Sequence, residues 1–254
     1  MQIWSPQVSL VHRSASSTGL CVKSLAWAHK RGLTNSIATS GVELPPLRAK
    51  KIQPPDSKDV RRVISYLLDE CPDWGALVAF VALTGCRRGE VCGLKWEDVD
   101  LAAGNVFIHR SVVPQAGGVA ERDTKTGESR RIAIGPKTTQ ILSEHLQRCA
   151  DRATVSGSTI TSESFVFSSE PDGAHPYHPH TITRTFVSAC RAAGVPRMRL
   201  HDLRHHSATT LLKKGATVGE VMDRHGWKTV EMVNRYRHHM EAKDLASAIV
   251  LEDA

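Results

Sequence analysis

Tyrosine is scarce in this 254-residue chain: there are three, at positions 66, 177 and 236, which leaves few candidates for phenol chemistry. The six cysteines, at 21, 71, 86, 92, 149 and 190, form no Cys-x-x-Cys pair. That spacing argues against a zinc ribbon or a disulfide framework and suits small buried apolar residues in a reducing compartment. Long apolar runs are missing as well. The most apolar stretch, GALVAFVALTG from Gly75, falls far short of the roughly 20 residues needed to span a bilayer. The opening MQIWSPQVSLVHRS has neither the basic end nor the apolar core of a signal peptide. These absences predict a cytoplasmic protein with no membrane association. Acidic residues are outnumbered, 26 against 33 Lys and Arg, giving a net charge of +7. Such a surplus suits a polyanionic partner, nucleic acid being the commonest, without specifying one.

What is present is mostly helical patterning, with no internal repeat. Residues 1–20 lack periodicity, and CVKSLAWAHKRGL is a short helical run stopped by Gly32. GVELPPLRAKKIQPPD carries four prolines and a cluster of Lys and Arg, a stiff basic linker that marks a domain boundary. DSKDVRRVISYLLDECP is an amphipathic helix capped by Asp56 or Ser57, with Val60, Val63, Ile64, Leu67 and Leu68 on one stripe. After a break at Pro72, DWGALVAFVALTG is apolar almost all round and predicts a central buried helix ended by Gly85. Three strands follow, NVFIHRSVV, GVAERDT and ESRRIAIG, the last two expected to form a hairpin across KTGE. PKTTQILSEHLQRCA is a helix, DRATVSGSTITSE a polar loop and FVFSS a short strand. Further helices are expected in TITRTFVSACRAAG, from HDLR to near Gly215, after a Thr217–Glu220 capping box, in TVEMVNRYRHH and in the terminal EAKDLASAIVLEDA. The predicted class is mainly α with a small antiparallel β-sheet, α+β.

Four separated pieces carry the chemistry: TGCRRGE, TKTGESRR, HDLRHH and HGWKTVEMVNRY. Singly, each has an ordinary explanation. Arg87 or Arg88 ends a helix in solvent, Lys125 solubilises a turn, His201 and Arg204 cap a helix, and Tyr236 sits at a core edge. Together they form an inventory for attack on a phosphodiester. Arginine forks match phosphate oxygens and stabilise charge that grows in the transition state. A tyrosine can hold a covalent phosphoryl group, a lysine can protonate the leaving oxygen, and a histidine can accept the phenolic proton. The histidines of HPYHPH and the His201–His205 spacing invite a metal reading, but no Glu accompanies them as in metalloproteases. No metal site and no cofactor are expected.

These motifs resemble the catalytic domain of the tyrosine recombinase, or phage integrase, family over roughly residues 57–245. The family pattern Thr-Gly-x-Arg-x-x-Glu is met by Thr84, Gly85, Arg87 and Glu90, and His-x-x-Arg by His201 and Arg204. Trp227 stands about 26 positions after His201, and Tyr236 nine positions further on. The resemblance implies the tyrosine recombinase catalytic-domain fold. It implies Tyr236 as the nucleophile, forming a 3′-phosphotyrosyl bond without ATP. Arg87 and Arg204 would clamp the phosphate, His201 assist proton transfer and Lys125 protonate the leaving oxygen. Trp227 stands where most members have histidine; with one indole donor, it either holds a phosphate oxygen or packs against the nucleophile. Glu90 is a structural partner for nearby positive charge. The implied partners are double-stranded DNA, a homotetramer on two recombining sites, and accessory bending or directionality factors. A tail helix from about Glu241 to Val250 would pack on a neighbouring subunit.

By the same resemblance, residues 1–44 are the remnant of an N-terminal DNA-clamp domain, 45–56 the linker and 57–254 the catalytic domain. Two other functions stay open: a catalytically silent DNA-binding prophage remnant, suggested by the short front, and type IB topoisomerase-like relaxation, which shares the active-site chemistry.

Overall fold

The computed structural model describes residues 21–35, 53–123 and 129–236. The chain divides into two units, Met1–Lys51 and Ile52–Ala254. In the first, a helix spans residues 21–30 (α1), and Gly32, with φ +69°, follows its end. The second holds α2 (Ser57–Glu70), α3 (Pro72–Thr84), α4 (Arg88–Cys92), α5 (Pro136–Val155), α6 (Pro179–Ala192), α7 (Leu200–Lys213), α8 (Val218–His225) and α9 (Val230–Asn234). Its strands are β1 (Val99–Asp100), β2 (Asn105–Ile108), β3 (Arg110–Gln115), β4 (Gly118–Asp123) and β5 (Arg130–Ala133). Among the described residues, no helix is long and apolar enough to cross a membrane.

The core is built around α3. Its residues from Gly75 to Ala82 are all buried, as expected of a helix with no polar face, and it packs against α2, α5 and α7. Asp56 caps α2 by accepting from the Lys58 backbone N–H, and Val60, Val63 and Leu67 form its inward stripe. Asp73, in the first turn of α3, ties α5 to α3. It accepts from Arg148 Nε at 2.9 Å and pairs with Arg152 and with His145 Nδ1 at 3.1 Å. His145 Nε2 donates to the Val166 carbonyl at 2.7 Å, so both ring nitrogens face acceptors and the buried ring is held as an imidazolium.

Four expectations change here. The strands GVAERDT and ESRRIAIG do not pair with each other. β4 pairs with β3, Gln115 opposite Gly118, and β5 pairs with β2, Asn105 opposite Ala133. The tight turn lies at Ala116–Gly117, where Gly117 has φ +83°, a left-handed conformation that glycine adopts without strain. Expected as a single strand, NVFIHRSVV is split at His109 between two sheets, ordered β1-β2-β5 and β3-β4. Nor is FVFSS a strand: only Phe165 makes an isolated bridge, to Lys95. Its backbone groups go to separate partners instead, Phe165 N–H to Gly173, Val166 N–H to Leu94 and the Val166 carbonyl to His145. Finally, α5 runs on through DRATV, which the sequence places in a loop. The capping box at Thr217–Glu220 forms in both directions, at 3.2 and 2.7 Å. The expected tail helix lies outside the described residues.

Candidate active site

The turn that leaves α3 starts the site. Gly85 ends α3 with φ +71°, and a Cβ there would lie 2.4 Å from His225 Nε2, so only glycine fits. Two residues on, Arg87 is the N-cap of the short α4. Glu90, one turn into α4 and 2% exposed, accepts from the Arg87 backbone N–H at 2.7 Å and from Arg87 Nη1 at 2.8 Å. It also takes both terminal nitrogens of Arg130, at 3.0 and 2.7 Å. Burial alone would raise the Glu90 pKa, but the forked pair with Arg130, helped by Arg87, holds it down at about 2. Glu90 is thus the structural counter-charge that the sequence suggests. Arg130, at the start of β5, is a site residue that sequence reading passes over. It lies within the quoted SRR, but its pairing needs β5 beside α4 and α8. Its Nε also donates to the Arg224 carbonyl at 2.9 Å.

Arg204 lies one turn into α7 and is 2% exposed. Its guanidinium donates to the carbonyls of Gly85 and His225 and, among the described residues, forms no ion pair with a carboxylate. Burial, together with the neighbouring positive charge of Arg87, lowers its pKa to about 10, so it stays cationic at neutral pH. Arg87 Nη2 donates to the Gly226 carbonyl at 3.0 Å, which places both forks on the α8–α9 connection. A cleft of about 480 Å³ opens beside Arg87, lined also by Arg88, Thr183, Arg199 and His201 among others. Burial and the charge of Arg204 shift the His201 pKa down, which favours a neutral ring able to take a proton.

Trp227 and Tyr236 stack on the other side of Arg204. The Trp227 ring lies between His225 (centroids 4.9 Å apart) and Tyr236 (5.6 Å, planes 13° apart), and the Arg204 guanidinium is 5.3 Å from the Trp227 ring centre. Of the two roles open to Trp227, packing against the phenol is the one observed. His225, fully buried, donates from Nδ1 to the Val221 carbonyl at 3.0 Å. Tyr236 is 1% exposed, and its hydroxyl meets Nδ1 of His205, not His201. His205 is the second residue that sequence reading overlooks, although it stands in the quoted HDLRHH. The structure therefore brings Arg87 and His201 to one cleft, buries Arg204 next to them, and sets Trp227 and Tyr236 beside Arg204. Lys125 lies outside the described residues, in the 124–128 connection between β4 and β5. Among the described residues, no group of three or more His, Cys, Asp or Glu could hold a metal ion.

A sequence model described as the phage integrase family matches residues 57–243, most of the chain. The chain belongs to the phage integrase family. It is 29% identical over 205 residues to a prophage phiRv2 integrase of Mycobacterium tuberculosis, covering 80% of this chain and 52% of the relative. It is also 29% identical to the integrase of Salmonella phage P22, covering 74% of this chain and 46% of the relative. The chain thus spans about half the length of the curated relatives it matches. Its fold is that of tyrosine recombinase catalytic domains. XerA recombinase superposes with a TM-score of 0.60 at 23% identity, over 76% of this chain and 62% of that one. The Tn1549 transposon integrase, solved in complex with a circular intermediate DNA, superposes with a TM-score of 0.66 at 16% identity, over 85% and 71%.

Two of the buried ionic groups of this integrase-family domain set opposite limits on its stability with pH. Glu90, with its pKa lowered from 4.5 to about 2, stabilises fully above about pH 4.5 and loses that contribution as pH falls toward 2. Burial opposes charge on His145, but the Asp73 carboxylate outweighs it and raises the pKa from 6.5 to about 9. That contribution is complete below about pH 6.5 and disappears as pH rises through 9. Below about pH 6.5 the lowered pKa of His205, about 4, also costs stability, because the unfolded chain takes up a proton that the folded ring does not. Thermal unfolding should therefore peak near pH 6.5 and decline on both sides, with His145→Gln removing part of the alkaline decline. A midpoint that climbs between pH 7 and 9.5 contradicts this.

Proposed function

We propose that this chain is the catalytic part of a site-specific DNA recombinase that cuts and rejoins strands through Tyr236. The observation that carries the reading is the Arg204 guanidinium. It is buried next to Arg87, which lines the cleft, and is held by two carbonyls with no carboxylate to neutralise it among the described residues. Its positive charge is therefore available to stabilise a phosphate whose charge is growing. Arg87 and Arg204 bind the non-bridging oxygens of the scissile phosphate. The Tyr236 oxygen attacks phosphorus and its proton passes to His201. The bond from phosphorus to the 5′-oxygen breaks, and Lys125 supplies the proton that the leaving oxygen needs. A 3′-phosphotyrosyl link and a free 5′-hydroxyl result. The link keeps the phosphodiester energy, so a 5′-hydroxyl from another strand reseals the backbone without ATP.

The partners follow from the same reading. The Tn1549 integrase was solved with DNA, and lambda integrase, which superposes with a TM-score of 0.58 at 16% identity over 85% of this chain and 56% of that one, as a tetramer bound to a Holliday junction. Double-stranded DNA and a tetramer on two sites are proposed here too, with accessory factors to bend DNA or set direction. Residues 1–44 are proposed as part of a DNA-clamp domain and 45–56 as its linker. The test is a pool of random-sequence duplexes, each nicked so that the released fragment diffuses away. A covalent protein–DNA adduct whose peptide maps to Tyr236 is the expected product. An adduct on another residue, or none at high protein concentration, overturns the proposal, and the latter favours the silent DNA-binding remnant.

A further inference from the structure

The phenol of Tyr236 cannot be attacking anything where it stands. It is 1% exposed, belongs to a cluster formed with Ala208, Leu212, Val221 and Val233, and is covered on one face by Trp227. Tyr236 is not among the residues lining the cleft beside Arg87 and His201. Its hydroxyl is nevertheless satisfied, because His205 projects from α7 to meet it. His205 is one turn along α7 from His201, and the two rings touch edge to face with centroids 4.7 Å apart. One face of α7 therefore presents His201 to the cleft and His205 to the nucleophile.

The direction of the proton follows from the surroundings. Burial raises the Tyr236 pKa to about 12, and burial together with the neighbouring His201 lowers that of His205 to about 4. The phenol thus keeps its hydrogen and donates it to Nδ1, while the hydrogen of the neutral ring sits on Nε2. In this arrangement the oxygen therefore stays protonated.

We propose that His205 is a latch: it holds Tyr236 protonated and sealed until DNA occupies the cleft, and the phenol must leave His205 and Trp227 to reach phosphorus. His205 is then a positioning residue for the nucleophile and takes no part in the transfer itself. The proposal rests on Tyr236 being the nucleophile, as proposed above.

The three tyrosines make the test internally controlled. The full chain, without DNA, is treated with tetranitromethane, and nitration of Tyr66, Tyr177 and Tyr236 is followed separately by peptide mass spectrometry. In the wild type, Tyr236 reacts slowest. His205→Ala raises its rate by about tenfold, the factor that one net hydrogen bond is worth, and leaves Tyr66 and Tyr177 unchanged. His205→Asn, whose side-chain oxygen can accept from the phenol, returns Tyr236 to within about threefold of wild type. Equal Tyr236 rates in all three proteins, or an Asn variant as reactive as the Ala variant, overturn the latch, because packing alone would then account for the sealing. Adduct formation on the nicked pool, measured in parallel, reports on the nucleophile reading independently. A wild type that forms no adduct sinks that reading, whereas the nitration pattern alone decides whether His205 restrains the phenol.

Discussion

Replacing Tyr236 by Phe is expected to abolish the covalent DNA adduct while leaving the fold and DNA binding in place. The substitution removes one oxygen and keeps the ring that stacks on Trp227 at 5.6 Å and fills the cluster with Leu212 and Val233. The loss in stability should therefore be small, about 1 kcal/mol for the hydrogen bond to His205. The loss in chemistry should be complete, because no other phenol is placed to substitute. Tyr66 packs against the main core, and Tyr177 stacks on Trp74 with ring centres 4.5 Å apart. Binding to duplex DNA should stay within about twofold of wild type, because phosphate contacts by Lys and Arg carry most of the affinity. Gel analysis of adducts under denaturing conditions, beside fluorescence anisotropy with labelled duplex, separates the two. Any residual adduct in the variant means that a different residue is the nucleophile.

Arg204→Lys is expected to have the next largest effect, and for a different reason. The guanidinium joins two carbonyls that belong to different parts of the chain, Gly85 after α3 and His225 at the end of α8, and lies next to the positive charge of Arg87. An ammonium keeps the charge but presents a single point of donation, so it cannot span both carbonyls and grip a phosphate oxygen in one plane. Cleavage should fall by roughly 10²–10³-fold, the cost of removing one oriented donor from a transition state. A buried carbonyl left without its partner should lower stability by about 1–3 kcal/mol. Retained charge should keep DNA affinity close to wild type. Arg204→Ala should lose more stability, since both carbonyls are then stranded. Single-turnover cleavage, thermal unfolding and anisotropy together decide the matter. Cleavage by Arg204→Lys within about fivefold of wild type would show that the fork is not needed.

Helices were the most legible part of the fold. The amphipathic stripe of Val60, Val63 and Leu67, the all-apolar run through α3 and the Thr217–Glu220 box each depend on residues within four positions of one another, and each forms as its pattern predicts. Strand pairing was the least legible. The sequence reading takes KTGE as the hairpin turn; the structure turns at QAGG instead, and KTGE falls in the connection that carries Lys125. FVFSS is apolar enough for a strand, but its carbonyl at Val166 is claimed by the charged His145 from α5, a partner 21 positions away.

The sequence by itself determined helices α2, α3, α6 and α7, the Asp56 and Thr217 caps, and which residue types stand at the spacings that identify the phage integrase family, because these are properties of short range along the chain. Only the tertiary structure decided that Arg130 joins Arg87 on Glu90, that two carbonyls hold Arg204, and that His205 and Trp227 enclose the Tyr236 phenol. Burial is the reason. Whether a phenol is sealed or exposed, and whether a carboxylate titrates near 2 or near 4.5, depends on which groups arrive from elsewhere in the chain, and periodicity carries no record of that.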